Sequence, residues 1–476
     1  MLRDMKKTIY ILLASCLLTG CDLLKPDDIT NPNVDEGTFL MTDNAMETWV
    51  NGTEKEFALH VSDYVELMEI LSDNYFNNYS RSSKEFDRPR LLYTDADVTN
   101  LQRHVGTMRE MADYGLTKVA MADPRTTDED RFRLYCVKAY AFILAGEYFR
   151  ALPIATGMLL TEWADQLRQA MTVLDTALPL AATADDQAFI HTLYARAAYR
   201  LGDRALAKSH ARQALTLSAD LCRQVLFDGE NDVLNRAQTA IWDTWFQPLP
   251  RLDFLDPKYF QTNATEQRPI TIAKAEENYL ILAEAAVAEN DLAEARTQLT
   301  SLLALVASRP VQTALNDQLD NRYNGGYKHY PNDPTYQVQA SASDPLRSGL
   351  IIDRRPPQLI TVPYISGTSV TPAMVSALTT HDEALELVYL MRQEIFFAEG
   401  RRPADLGIRL PLCEVEAAAI AGSYAYTEAL IPSFIPLEQG MDEFTVDDVA
   451  KTVTIKYNMN RIIVENAASP YVVPFE

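Results

Sequence analysis

Three stretches of the chain share one spacing, and that spacing is the strongest constraint on what it folds into. They are RFRLYCVKAYAFILAGEYFRALPIA at 131–155, FIHTLYARAAYRLGDRALAKSHARQALTLSA at 189–219 and ENYLILAEAAVAENDLAEARTQLTSLLALVA at 277–307. In each, an alanine (Ala139, Ala195, Ala283) stands seven residues before a Gly or Asn (Gly146, Gly202, Asn290), and a second alanine (Ala151, Ala207, Ala295) follows five residues later. Gly and Asn tolerate the left-handed backbone that ends a helix. Alanines where two helices cross let the backbones approach, while Tyr135, Tyr194 and Leu282 fill the wider gaps. The expected unit is therefore a helical hairpin turning at 146, 202 and 290.

Such hairpins resemble tetratricopeptide units, but not in tandem. Ala139 and Ala195 are 56 residues apart and Ala195 and Ala283 are 88 apart, so long insertions decorate the scaffold. A further hairpin using residues 166–180 is only weakly patterned. Glycine is scarce, 17 in 476 residues, which favours long regular elements. Residues 43–77 and 381–399 read as helical. Pro248, Pro250 and Pro257 exclude a continuous helix over 241–265. The proline-rich stretch 316–380 reads as a loop-dominated excursion, and EFTVDDVAKTVTIKYNMNRIIVE at 443–465 alternates like a β-hairpin. The expected fold is mostly α, a single domain over 41–476. Its hairpin scaffold covers about 41–310 and 381–406, with loop-rich, ligand-facing insertions at about 220–275 and 311–380. An irregular part with minor β-hairpins covers about 407–476.

The N-terminus carries an address. Arg3, Lys6 and Lys7 precede the apolar run IYILLASCLL, which is signal-peptide length and too short for a span of about 20 residues. LLTGC at 17–21 resembles a bacterial lipobox, which implies cleavage after residue 20 and a lipidated Cys21. KPDDITNPN at 25–33 then reads as a polar tether over 21–40, similar to the export signal of Bacteroidetes surface lipoproteins. The chain has 43 Lys plus Arg against 66 Asp plus Glu, a net charge of -23, which argues against nucleic acid as a partner. Cys136, Cys222 and Cys413 are too widely spaced for a disulfide framework or a zinc site.

Catalytic patterns are absent from the sequence. Its six histidines are scattered, and there is no HExxH, no Ser nucleophile elbow and no phosphate-binding glycine loop. No catalytic residue, metal or cofactor is assigned, and an enzyme is not expected. Binding has better candidates in three aromatic clusters: Tyr75, Phe76 and Tyr79 among Asn74, Asn77 and Asn78; Trp242, Trp245 and Phe246 near Asp243 and Gln247; and Tyr323, Tyr327, Tyr330 and Tyr336 around Asn324, Lys328 and Asn332. Rings offer a flat apolar face to the C–H side of a sugar, and neighbouring amides serve its hydroxyls. Asn74, Tyr75, Tyr79, Trp242, Trp245, Tyr323, Tyr327 and Tyr330 are the candidate ligand residues. The same groups suit a peptide, and core packing beneath loops is the alternative role.

Four features together resemble the SusD/RagB-like outer-membrane lipoproteins of Bacteroidetes nutrient uptake: the lipobox at Cys21 with NPN at 31–33, ITIAKAEENYLILAEAAVAENDLAEA from Ile270, LELVYLMRQEIFFAEGRRPADLGIRLP from Leu385, and the loop-rich C-terminal part. The third is the most specific, with Arg392, Glu394, Glu399, Gly400, Arg402, Asp405 and Leu406 matching the family's pattern. Residues 407–411 lack the family's frequent Arg-Trp pair. Leu387, Met391, Ile395 and Ala398 share one helical face, so that face is expected in the core. Arg392, Glu394, Glu399, Arg402 and Asp405 are expected to form a structural ion-pair motif. The resemblance implies a lipid-anchored, surface-exposed outer-membrane protein, touching the membrane through its lipid only. It would capture glycan or oligopeptide as the lid of a SusC-type TonB-dependent barrel. The rival expectation is a surface adaptor holding a protein partner in its hairpin grooves and binding no nutrient.

Overall fold

The computed structural model describes residues 35–77, 83–243, 245–317, 328–438 and 440–476. Cys21 with the expected leader and most of the tether lies outside the described residues, as do Tyr79, Tyr323 and Tyr327.

The main helices, in chain order, are α1 (Ala45–Ile70), α2 (Ala96–Tyr114), α3 (Asp128–Tyr148), α4 (Trp163–Ala177), α5 (Ala184–Arg200), α6 (Arg204–Leu217), α7 (Arg236–Trp242), α8 (Ala275–Ala288), α9 (Leu292–Ser308) and α10 (His381–Ile395). The pairs α3/α4, α5/α6 and α8/α9 pack as hairpins. Two of them turn where the spacing predicts, at Gly202 with φ 74° and at Asn290 with φ 57°. Asp203 and Asp291 then cap the returning helices, accepting from the backbone N–H of Leu206 and Glu294 at 3.0 Å each. Ala195, Ala207, Ala283 and Ala295 are all fully buried at the crossings. Capping boxes at Thr127/Asp130 and Thr380/Glu383 start α3 and α10.

The first hairpin departs from the expected turn. α3 runs through Gly146 to Tyr148, and Ala151 lies in a short strand, Ala151–Pro153, not in a returning helix. The chain comes back only in α4, the weakly patterned segment. Gly146 is a close-approach residue: a Cβ there would lie 2.5 Å from Leu167 Cγ and 2.9 Å from the Trp163 carbonyl oxygen. A glycine needed for space and a glycine needed for a turn look alike in sequence.

Besides the antiparallel pair Ala151–Pro153 and Leu160–Glu162, the strands are short: β1 (Tyr75–Asn77), β2 (Cys222–Val225), β3 (Phe246–Pro248), β4 (Ile270–Lys274), β5 (Val311–Leu315), β6 (Gln337–Gln339), β7 (Ile360–Pro363), β8 (Phe444–Asp447) and β9 (Thr452–Ile455). β1 pairs with β3, β2 with β4 and β5 with β7, all antiparallel. The 443–465 segment forms the hairpin β8/β9, with β9 also parallel to β6, and then turns helical over Met459–Glu465. α10 stops at Ile395, short of the expected 399, because Ala398 (φ 58°) and Gly400 (φ 70°) turn the chain. One apolar cluster from Phe57 to Val473 joins the hairpins to the C-terminal part. Among the described residues no helix is long and apolar enough to cross a membrane.

Packing α5, α8 and α10 together encloses an acid. Glu284 is 1% exposed. Its Oε2 accepts from the Tyr199 hydroxyl at 2.7 Å and its Oε1 has no partner. Burial raises its pKa to about 7, so between its ordinary value and 7 the folded state holds a proton that the unfolded state has released. Stability attributable to this group therefore falls as pH rises through that window. The variant Glu284→Gln should gain on the wild type by roughly 3 kcal/mol in urea unfolding between about pH 5 and pH 8. A pH-independent difference would mean that Glu284 is solvated.

Candidate functional site

β1 and β3 are too short to be stable alone, and their pairing is what brings distant parts of the chain together. The register sets Tyr75 opposite Pro248 and Asn77 opposite Phe246, so the first and second aromatic clusters become neighbours, with Tyr75 and Phe246 ring centroids 6.5 Å apart. The third cluster and β8 close on the same place. The Phe444 ring lies 5.9 Å from Phe76 and 6.1 Å from Tyr330. Lys328 Nζ stands 4.5 Å from the centre of the Phe76 ring and 5.2 Å from that of Phe444, a cation–π arrangement. A cavity of about 300 Å³ opens here, lined by Lys328, His329, Glu443, Phe444 and Val446.

Of the four candidate rings among the described residues, two, Tyr75 and Tyr330, lie beneath this site as core aromatics under the loops. Asn74, Tyr75 and Tyr330 are buried. Asn74 Nδ2 donates to Glu69 at 3.0 Å, the Tyr75 hydroxyl to Asp256 at 2.8 Å and the Tyr330 hydroxyl to Asp253 at 3.1 Å. Buried polar groups must be partnered, and these are partnered by protein. Trp242 and Trp245 are half-buried. Trp242 packs on the cluster of Phe260, Leu315, Ile360 and Val362, and Trp245 on the main core. The ring that meets the cavity is Phe444, half-buried, which sequence reading placed in a hairpin and gave no role. The alternation of Phe444 and Val446 was the available signal, since both face one side of β8.

Charge lies directly behind the cavity. Lys328 donates to the Asp442 carbonyl, and Lys84 donates to Asp87 and, at 2.8 Å, to the Asn77 carbonyl. Burial pushes the Asp442 carboxyl well above its ordinary range, and the nearby Asp87 charge adds to the effect. Burial likewise raises Asp87 and lowers Lys328. The wall therefore presents an ammonium, the exposed Glu443 carboxylate and the His329 imidazole around one ring. That set can hold a hydroxylated molecule by stacking and directed hydrogen bonds.

The motif near 392–405 knits the scaffold under the site. Arg392 donates to Asp405 at 2.8 and 3.2 Å, and Arg402 to Asp73 at 2.7 and 3.2 Å. Lys258 and Lys274 both reach Glu399 at 2.6 Å. Glu394 accepts from the Thr368 hydroxyl at 2.7 Å and the Ser369 N–H at 2.8 Å. Arg392, Glu394, Glu399, Arg402 and Asp405 are all buried. Leu387, Met391, Ile395 and Ala398 are buried beside them.

A larger cleft of about 440 Å³ lies elsewhere, between α1, α3 and β2, and holds none of the predicted residues. Its rings Phe57, Phe132 and Phe189 are buried, and charged Glu54, Lys55, Arg133 and Arg223 share its wall. Among the described residues no group of three or more His, Cys, Asp or Glu could hold a metal ion.

No family model matches the chain, and no curated protein matches it. Among solved structures, SusD-like and SusD superfamily proteins of Bacteroides are similar to it. A SusD-like carbohydrate binding protein from Bacteroides vulgatus is 12% identical, with 76% of this chain and 82% of that one covered and a TM-score of 0.46. A SusD superfamily protein from Bacteroides fragilis is 11% identical over 78% and 89%, with a TM-score of 0.47. NanU of B. fragilis is 10% identical over 79% and 91%, with a TM-score of 0.49.

Proposed function

We propose that the chain is a cell-surface lipoprotein that captures a nutrient glycan at the Phe444 cavity and acts as the lid of a SusC-type TonB-dependent barrel. The observation that carries this reading is convergence. Three aromatic and amide-rich segments, far apart in the chain, meet through the β1/β3 pairing and the Phe76, Phe444 and Tyr330 contacts beside an open cavity. A ring flanked by an ammonium and a carboxylate suits the alternating apolar and hydroxylated faces of a sugar. An oligopeptide is the second candidate ligand, since its backbone also seeks paired donors and acceptors. The lipid anchor at Cys21, the surface location and the barrel partner rest on the resemblance of the N-terminus and of the 385–411 motif.

The adaptor reading is favoured by loop aromatics that are buried with no cavity near them, and Tyr75, Tyr330 and Tyr336 are buried. The cavity at Phe444 speaks against it. Two measurements test the proposal together: calorimetric titration of the full chain with a panel of glycans and oligopeptides, and pull-down of the lipidated protein from its native membrane. Saturable binding of one glycan class and near-equal recovery of a large TonB-dependent barrel are expected. No ligand in either class, with a soluble surface protein in the pull-down, would put the adaptor ahead.

A further inference from the structure

A smaller cavity, of about 160 Å³, lies between the 3-10 turn Pro250–Leu255, β6, α10 and the helix Met459–Glu465. It shares no lining residue with the Phe444 cavity. Val338, Leu350, Met374 and Leu390 make much of its wall apolar. Against that wall stands Arg251, 6% exposed, whose Nε and Nη2 have no hydrogen-bond partner. These two atoms form one edge of the guanidinium, the edge that grips a carboxylate with two parallel bonds.

The acids around Arg251 are engaged by other groups. Glu394 is held by Thr368 and Ser369. Asp73 takes Arg402, and at the rim Asp344 and Glu386 take Arg461 and Asn458. Arg347, the other cation in the wall, donates to the Ser369 carbonyl at 2.7 Å. Burial, only partly offset by the Asp73 charge, lowers the Arg251 pKa from the ordinary guanidinium value. Opposite polarity is supplied by Asn460, which is also buried. Gln393 Nε2 donates to Asp73 Oδ2 at 2.8 Å and to Asn74 Oδ1 at 3.1 Å, so its Oε1 accepts from Asn460 Nδ2 at 3.1 Å. That chain orients the Asn460 amide and leaves its Oδ1 as an acceptor with no partner. Leaving such groups unmet costs about 1–3 kcal/mol each, more for a charge.

We propose that this cavity binds a small organic carboxylate that also carries a hydrogen-bond donor, with the carboxylate on the Arg251 edge and the hydroxyl or ammonium on Asn460 Oδ1. A cavity of 160 Å³ has room for about five waters at about 30 Å³ each, which suits a hydroxy or amino acid of about three to five carbons. Water alone would meet the amide oxygen but would leave the guanidinium without a direct counter-ion.

The test is calorimetric titration of the full chain with L-lactate, L-alanine and acetate. Lactate or alanine should bind saturably, and acetate, which lacks the donor, about tenfold more weakly. Arg251→Lys keeps the charge and loses the two-pronged edge, so it should weaken binding by about tenfold or more. Asn460→Leu should erase the preference over acetate. If the Arg251 variant does not fold, Met374→Trp, which narrows the cavity from its half-buried side, should abolish binding. Lactate against alanine separates a hydroxyl from an ammonium donor. Absence of binding by all three acids, or affinity unchanged in Arg251→Lys or Met374→Trp, overturns the proposal. None of these outcomes depends on glycan binding at Phe444.

Discussion

Asp405→Asn should destabilise the protein by about 3–5 kcal/mol, the cost of breaking a buried ion pair from one side. Asp405 is buried and answers two cations. Arg392 donates to it at 2.8 and 3.2 Å, and Arg200 Nη2 lies 2.8 Å away as an ion-pair contact without hydrogen-bond alignment. Burial by itself would raise the Asp405 pKa, but Arg392 and Arg200 together hold the carboxyl well below its ordinary range. An amide keeps the shape and loses the charge, leaving Arg392 enclosed among Tyr199, Tyr389 and Phe396 with no hydrogen-bonded counter-ion. Arg200 retains Glu147 at 3.1 Å, so the loss centres on α10. The contribution of a depressed carboxylate is present above its unfolded pKa and lost only as pH falls through the folded value. The gap between wild type and variant should therefore be constant near neutrality and close only in strong acid. Urea unfolding followed by circular dichroism measures it, and the double variant Asp405→Leu with Arg392→Met should recover much of the loss. A gap below about 1 kcal/mol would be that of a solvated pair.

Phe444→Ala should weaken ligand binding by about tenfold or more, equivalent to 1–2 kcal/mol of lost ring contact. Phe444 is the ring where Phe76, Tyr330 and Lys328 meet and the one that lines the cavity. Since it is half-buried on β8, truncation should cost the fold about 1–2 kcal/mol and leave it intact. Affinity and melting temperature must be read together: affinity lost at an almost unchanged melting temperature assigns the ring to the ligand. Trp242→Ala is the paired control, because Trp242 packs on the separate cluster of Phe260 and Val362. If Trp242→Ala abolishes binding and Phe444→Ala does not, the ligand sits on the β5/β7 side.

The scaffold was legible wherever one residue type answers one need. Gly202 and Asn290 adopt positive φ at helix ends, the conformation that Gly and Asn tolerate best. Gly146 was misread because its need is space against Trp163 and Leu167, residues whose proximity exists only after folding. The aromatic clusters show the same division. Their composition pointed to three segments, but no periodicity says which ring is covered. Tyr75 and Tyr330 are drawn inside by buried acids Asp256 and Asp253, supplied by other parts of the chain. Asp87 and Asp442, both enclosed behind the cavity, carried no signal at all, since each is an ordinary charged residue until folding buries it.

By itself the sequence determined the helical hairpins, the interruptions made by proline and the buried stripe of α10, because these depend on local periodicity and backbone preference. Tertiary structure alone decided which ring meets a cavity, which acid holds which arginine, and where an arginine edge is left open. Those outcomes depend on contacts such as Asn77 with Phe246 and Gln393 with Asp73, across 169 and 320 residues of sequence, where side-chain chemistry is set by what folding encloses beside it.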